Sequence, residues 1–531
     1  MASRAARRPE RWVVAIGATT AAALALRLWH VGHQSFWYDE SLTVDEMHMR
    51  FRRMLSTVRL TEVTPPLYFV SAWTWTKVLG TGEAGLRSLS AVAGTLTVPT
   101  AAACAATIAG RRAAVIAAAL VAVNPLLIWY SQEARSYALL TLLCALSWLF
   151  FLRAARDGRP RDLALCVAAS ALALATHYFA LFLVAPELAW LVIRAPRRWS
   201  VWAAALAVAA VGLALLPFAI ARRTNGTGWI HRIALGLRLR QVAEQFAGGF
   251  SSSTAMAAAV AVVVALALGA LALGAERPVQ RAGAMALATA TAAVALPLVL
   301  GWFGLDYLIT RNVIFAVVPM AVLVAIGLAA VHARWLGQAA TVALAALGIA
   351  ATVRVDSSSA LQRPDWRLVA HALGPEVRDR AIVIAGSYRG RPVKTYLAHT
   401  GFVSEPPPAV REIDVIGMHT RREPGCWWGA DCSLPNVSPA TVPPAPGFRL
   451  RSRTRVGSFT IAQFRSPTAA AFGGCSGVYR SRRRFDGRRW VSVIVLVQHV
   501  PRAHGRSTHR PPGRHARQRP RQRRFGCPRR S

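Results

Sequence analysis

Long apolar runs rich in Ala, Leu and Val, separated by short polar or basic breaks, recur along the chain from Trp12 to Val353. A helix of about 20 apolar residues crosses a bilayer. The pattern therefore predicts spans at 12–29, 86–109, 113–129, 137–152, 162–176, 179–193, 200–220, 254–274, 282–303, 312–331 and 337–353. Pro66–Leu79 is shorter, carries Trp73 and Trp75, and ends in Lys77 and Gly80. That length and aromatic content predict a helix lying in the interface rather than crossing it.

Beyond Val355 the pattern changes. Ala381–Ala385 and Ser458–Ala462 read as strands and 366–373 as a helix, which predicts a small α/β domain. The expected fold class is thus an α-helical polytopic membrane protein of about eleven spans with a small C-terminal extracytoplasmic α/β domain. The expected domains are 1–354 (with a first outer loop at 31–85), 355–467, and a basic tail at 468–531 that reads as disordered.

Composition agrees with a membrane protein: 54% of residues are hydrophobic and only 16% charged, against about 25% charged in soluble domains. The net charge of +39 suggests nucleic acid until its distribution is inspected. The tail from Thr468 holds 17 arginines and one acid, Asp486, and much of the remaining excess lies in short loops. If 66–79 does not span, Arg111–Arg112, Arg153–Arg161, Arg194–Arg198, Arg277–Arg281 and His332–Arg334 fall on one side with the basic N-terminus. That side is then cytoplasmic, so no nucleic-acid partner is expected and the C-terminal domain lies outside. The N-terminal run, with no small-residue cleavage site before Trp29–His30, reads as a retained anchor. Cys426 and Cys432 could close a disulfide outside; their spacing does not decide it.

The same topology gathers polar clusters on the outer face: Asp39–Glu40, Tyr130–Tyr137, His177–Tyr178, the 222–250 loop and Asp306–Asn312. A carboxylate there could deprotonate an acceptor hydroxyl. Asp39, set among Phe36, Trp37 and Tyr38 close to a span end, is the strongest candidate. Asp45, Glu46 and Glu62 read as loop-solvating charges. A lipid phosphate calls for fixed cations, and arginine suits that geometry. Candidates are Arg135, Arg222, Arg223, Arg232 and Arg311, although Arg135 stands beside Glu133 and could simply pair with it. His177 reads first as a boundary histidine. Zinc spacing, a phosphate-cradling Gly-rich loop and a nucleophile elbow are all absent from the sequence. An acid pair could hold a divalent cation, but no ligand motif indicates one and the cofactor is unknown.

With these residues in view, the chain resembles GT-C-type glycosyltransferases, specifically glycosyltransferase family 39, the protein-mannosyltransferase-like group. The resemblance is carried by Trp37–Glu40, Thr64–Tyr68, Gly82–Ser90, Asn124–Pro125 through Tyr130–Tyr137, Arg311–Asn312 with Pro319, and Arg363–Arg367. It covers about residues 12–370. It implies transfer of a sugar, mannose by default, from a polyprenyl monophosphate to a glycan, lipid or protein acceptor at the outer membrane face, with inversion. By resemblance Asp39 is the base with Glu40 beside it, and Tyr68, Glu133, Arg135, Tyr137, His177 and Arg311 serve donor and substrate. Related oligosaccharyl transferases carry a second acidic motif where this chain offers only Glu133, so no metal site is carried over.

A lipid-linked glycan polymerase and a transporter or flippase are the rival readings. The transporter predicts internal repeats and charges midway along the spans, whereas these charges cluster at span ends. The topology has its own test. A cysteine placed at Gly80 is expected to react with an impermeant thiol reagent from the outer face only; labelling only from the cytoplasm would invert every later loop.

Overall fold

The computed structural model describes residues 10–222, 230–374, 380–385, 391–397, 400–402, 409–418, 446–470, 483–485, 489–491 and 493–498. The chain forms two compact units that divide after Pro364. The first unit is helical throughout: α1 (Arg11–Leu28), α2 (Tyr38–Met47), α3 (Phe51–Thr61), α4 (Leu67–Leu79), α5 (Glu83–Ala122), α6 (Pro125–Ser131), α7 (Tyr137–Asp157), α8 (Pro160–Thr176) and α9 (Leu181–Arg194) lead off. They are followed by α10 (Trp199–Arg222), α11 (Leu235–Gly248), α12 (Thr254–Gly274), α13 (Arg277–Trp302), α14 (Val317–Ala330) and α15 (Arg334–Ser357).

Eight of the described helical stretches are long and apolar enough to cross a membrane. Their burial separates two kinds. Most residues of α7 and of Thr310–Ala330 are buried, while α1, α10 and α12 expose most of theirs, as helices facing lipid must. Helices α8 and α9 are shorter, at 17 and 14 residues. The count of eleven spans stays an expectation.

The basic break after the second predicted span takes the form of a reversal inside α5. Ala109 leaves helical geometry and Gly110 adopts φ +78°, a conformation open to glycine because it lacks Cβ. The predicted span 113–129, by contrast, is interrupted. The second arm of α5 ends at Ala122, and Asn124 caps α6 by accepting the Leu127 N–H at 3.0 Å, with Pro125 at the first helical position, a combination that starts a helix rather than continuing one. The freed carbonyls of Val121 and Ala122 accept hydrogen bonds from the buried Arg27 guanidinium of α1 at 3.2 and 2.9 Å, so the break is satisfied internally, as lipid requires. Deeper in the bundle the Ser147 hydroxyl of α7 donates to Glu187 of α9 at 2.6 Å and lies 2.9 Å from Ser170 of α8, tying three helices by hydrogen bonds.

The second unit begins with α16 (Trp366–Leu373), at the predicted position, and includes α17 (Arg391–Tyr396). Its strands are β1 (Arg380–Ala385), β2 (Thr400–Phe402), β3 (Val410–Met418), β4 (Arg449–Val456), β5 (Phe459–Ala470), β6 (Arg483–Phe485), β7 (Arg489–Val491) and β8 (Val493–Gln498). The main sheet runs β2-β8-β1-β3-β5-β4, with β1 and β3 parallel and the other pairs antiparallel. Period-2 alternation splits β1 between two cores. Ile382 and Ile384 meet Trp366, Val369 and Phe459, while Ala381 and Val383 meet Ile413, Val415 and Phe464. The strand predicted at 381–385 falls within β1, and the one predicted at 458–462 matches the start of β5 from Phe459. Strand β8 departs from the expectation of a disordered tail past Thr468: Val493-Ile494-Val495-Leu496-Val497 is an apolar, β-branched run, and it pairs between β1 and β2. Cys426 and Cys432 lie outside the described residues.

Close helix contact in the first unit yields a test. A Cβ on Gly327 of α14 would collide with the Ala267 carbonyl oxygen of α12, so the two backbones touch as small residues permit. Gly327→Val is expected to lower the thermal midpoint of the detergent-solubilised protein, at a cost of about 1–3 kcal/mol. An unchanged midpoint would mean the helices are not packed there.

Candidate active site

The first loop, 31–85, folds into α2, α3 and α4, and α2 carries the Asp39–Glu40 pair in its first turn, where the helix dipole favours carboxylates. The two side chains have different fates. Glu40 is fully buried. Its Oε1 accepts from Arg87 Nε at 2.7 Å and from the Ala134 N–H at 2.8 Å; its Oε2 accepts from Arg87 Nη2 at 2.6 Å and from the Trp37 N–H at 3.3 Å. Arg87, itself buried, also donates to the carbonyls of Val31, Gln34 and Ser35. Burial by itself would raise the Glu40 carboxyl, but Arg87 and Arg363, with these hydrogen bonds, hold it below the usual carboxylate range. With every oxygen engaged, Glu40 positions its surroundings and has no lone pair to offer a substrate.

Asp39 is one residue further round the helix and its side chain keeps 21% exposure. Its Oδ2 accepts a hydrogen bond from Arg311 Nη1 at 3.3 Å, and Arg311, at 14%, lies over the Tyr137 ring at 5.7 Å. A 3.3 Å contact is long for a charge-assisted hydrogen bond.

Around this pair further charges are buried, most of them in ion pairs. Arg135 pairs with Glu62 (2.7 Å) and also donates to Thr43 and to the Asp39 carbonyl. Glu133 pairs with Arg363 (2.7 Å), whose guanidinium packs over Trp129 at 4.5 Å. The simple Arg135–Glu133 pairing open from sequence is therefore replaced by two pairings across the fold. The reading of Glu46 and Glu62 as loop-solvating charges is corrected as well: both are buried beside Arg135. Burial, opposed by Arg363, lifts the Glu133 carboxyl to about 7.

His177 is buried between α8 and α9. Its ring lies 4.7 Å from Phe179 and 5.9 Å from Tyr137, and Nδ1 accepts the Phe179 N–H at 3.3 Å. Burial, then Arg311 and Arg135, push it down to about 3, so it stays neutral near neutral pH. Tyr68 is fully buried, edge-on to Phe69 at 5.6 Å. The side chains of Arg222, Arg223 and Arg232 lie outside the described residues. Arg87 and Arg363 went unassigned as site residues in the sequence. The signal available was that each sits in a polar break containing a second charge or a proline, Glu83–Arg87 and Arg363-Pro364-Asp365.

No group of three or more His, Cys, Asp or Glu side chains suited to a metal ion occurs among the described residues. Asp39 and Glu133 face arginines instead.

This geometry defines a class first: a polytopic helical membrane protein whose loops bury a carboxylate–arginine network beside a partly accessible Asp39–Arg311 pair. Residues 63–221 match the sequence model of the family described as dolichyl-phosphate-mannose-protein mannosyltransferase. That match makes the chain similar to this mannosyltransferase family over the segment. No curated protein matches the chain significantly. Among solved structures, ArnT from Cupriavidus metallidurans bound to undecaprenyl phosphate is similar at 19% identity, covering 68% of each chain, with a TM-score of 0.44. The apo form of that protein gives 17% identity, 68% and 70% coverage and a TM-score of 0.46. Archaeal oligosaccharyltransferase AglB from Archaeoglobus fulgidus, in complex with an inhibitory peptide and a dolichol-phosphate, gives 14% identity, 68% and 57% coverage and a TM-score of 0.44.

The carboxylate left without an arginine of its own provides a stability test. Burial, with Glu62 beside it, pushes Glu46 up to about 8, so the folded state holds a proton there that the unfolded chain releases near 4.3. Where the folded state binds more protons, stability falls as pH rises. Between pH 5 and 8 the wild type is expected to lose stability through this group, and Glu46→Gln is expected to flatten that part of the profile. Parallel melting profiles for the two proteins would refute it.

Proposed function

We propose that the protein transfers a sugar, mannose by default, from a polyprenyl-monophosphate donor to an acceptor at the outer face of the membrane. The supporting observation is the Asp39–Arg311 pair, a partly exposed acid and cation linked by a long hydrogen bond, beside the buried pairs Glu40–Arg87, Glu62–Arg135 and Glu133–Arg363. In this reading Arg311 turns to the donor phosphate, which releases the Asp39 oxygen to the acceptor hydroxyl. The acceptor oxygen attacks the anomeric carbon from the side opposite the phosphate, and its proton passes to Asp39. The bond from the anomeric carbon to the phosphate oxygen breaks, its electron pair leaves with the polyprenyl phosphate, and Arg311 offsets the charge that develops. Displacement in one step inverts the anomeric carbon.

Glu40 and Arg87 aim Asp39, and Arg135 holds the same helix turn through Thr43 and the Asp39 carbonyl. In this reading the N-terminus lies in the cytoplasm and the second unit outside a plasma membrane, which the basic short loops support. A glycan, lipid or protein acceptor all fit this scheme.

The test is transfer in membranes supplied with a panel of labelled polyprenyl-phosphate sugars. Asp39→Asn is expected to abolish transfer, by at least about 100-fold, with insertion and melting unchanged. Arg311→Lys is expected to reduce it, with the loss concentrated in donor KM. Full turnover by Asp39→Asn would remove the base assignment. No transfer from any donor by well-folded wild type, across all three acceptor classes, would remove the function.

A further inference from the structure

The helices that carry the Asp39 network at one end enclose a separate cavity at the other. It has a volume of about 810 Å³ and lies among α1, α5, α7 and α8. Arg153 stands 16 residues along α7 from Tyr137, and Arg161 stands 15 residues along α8 from Thr176. At 1.5 Å per residue the cavity is about 22–24 Å from the active-site end, so it cannot serve the sugar-bearing phosphate.

Its walls and its rim differ in chemistry. Trp12, Ile16, Ala103, Phe150 and Leu165 supply apolar wall, and small alanines beside Pro99 of α5 leave the space open. The rim carries Arg153, Arg156, Arg159 and Arg161 against Asp157 and Asp162, four positive charges to two negative. Asp157 is engaged by Arg156 at 2.7 and 3.0 Å, and Arg156 is also tied to the Thr107 carbonyl at 3.1 Å. Asp162 is buried in the first turn of α8, where the helix dipole accommodates it. Arg153 and Arg161 make no ion pair among the described residues, and Arg153 is held over the Phe150 ring at 5.8 Å, beside the apolar wall. A basic loop alone would follow from the positive-inside rule. An apolar cavity opening beneath that loop does not, and the two together match a molecule with a negative head and a hydrocarbon body.

We propose that this cavity is a binding site for an anionic glycerophospholipid of the leaflet at that end. Arg153 and Arg161 take the headgroup phosphate, and an acyl chain fills the space between Trp12, Ala103 and Phe150. Such a lipid would clamp α1 and α8 to α5 and α7, far from the chemistry.

Native mass spectrometry of the full chain, released from nanodiscs containing equal phosphatidylglycerol and phosphatidylcholine, tests this directly. Wild type is expected to retain one phosphatidylglycerol in preference to phosphatidylcholine. A basic residue near a membrane surface contributes roughly fivefold, so Arg153→Gln/Arg161→Gln is expected to lower that preference roughly thirty-fold. Arg153→Lys/Arg161→Lys is expected to keep most of it. Ala103→Leu, which narrows the cavity and leaves the rim charge intact, is expected to lose the retained lipid. Equal retention of both lipids by wild type, or an unaffected glutamine variant, would overturn the site. So would full retention by Ala103→Leu, since the lipid would then be held by surface charge without entering the cavity.

Discussion

The buried ion pair between Glu40 and Arg87 is the constraint on which the site depends. Both groups are buried, and removing one partner of such a pair leaves an uncompensated buried charge at a cost of about 3–5 kcal/mol. Its contacts reach further than two residues. Through Arg87 it holds the carbonyls of Val31, Gln34 and Ser35, and through Glu40 the N–H groups of Trp37 and Ala134. The end of the first span, the start of α2, the start of α5 and the turn before α7 are thereby fixed against one another, and Asp39 is set by the backbone beside them.

The other charges repeat this arrangement. Arg135 with Glu62 and Arg363 with Glu133 close two more gaps between loops, and aromatic faces at Phe69 and Trp129 cover the guanidinium groups. A buried polar network of this kind is costly when partly satisfied and rigid when complete. The buried pairs explain how a site built from loops can hold one aspartate and one arginine at a set separation. Asp39 and Arg311 differ from the buried pairs around them in that solvent still reaches them.

The two ends of the bundle are chemically distinct as a result. At one end arginines are neutralised by acids drawn in from several loops. At the other, arginines outnumber acids around an apolar cavity, which suits an anionic amphiphile rather than a carboxylate.

Much of the architecture was legible from sequence because burial in lipid imposes a simple rule: nearly every residue of a span must be apolar, so spans and reversals stand out without any partner. The helix at 366–373 and the strands in β1 and β5 were legible for the related reason that period and residue type report local geometry. The sequence also marked the polar breaks that meet at the site, including Asp39 and Arg311. What it left undecided was pairing. Glu46 and Glu62 looked like solvated loop charges, Arg135 appeared to have Glu133 beside it, and Arg87 and Arg363 drew no attention as site residues. Residues adjacent in sequence need not face one another, and the partners here lie 47, 73 and 230 positions apart. Which carboxylate is locked and which is free depends on those distant contacts, and so only the tertiary structure separates Glu40 from its neighbour Asp39.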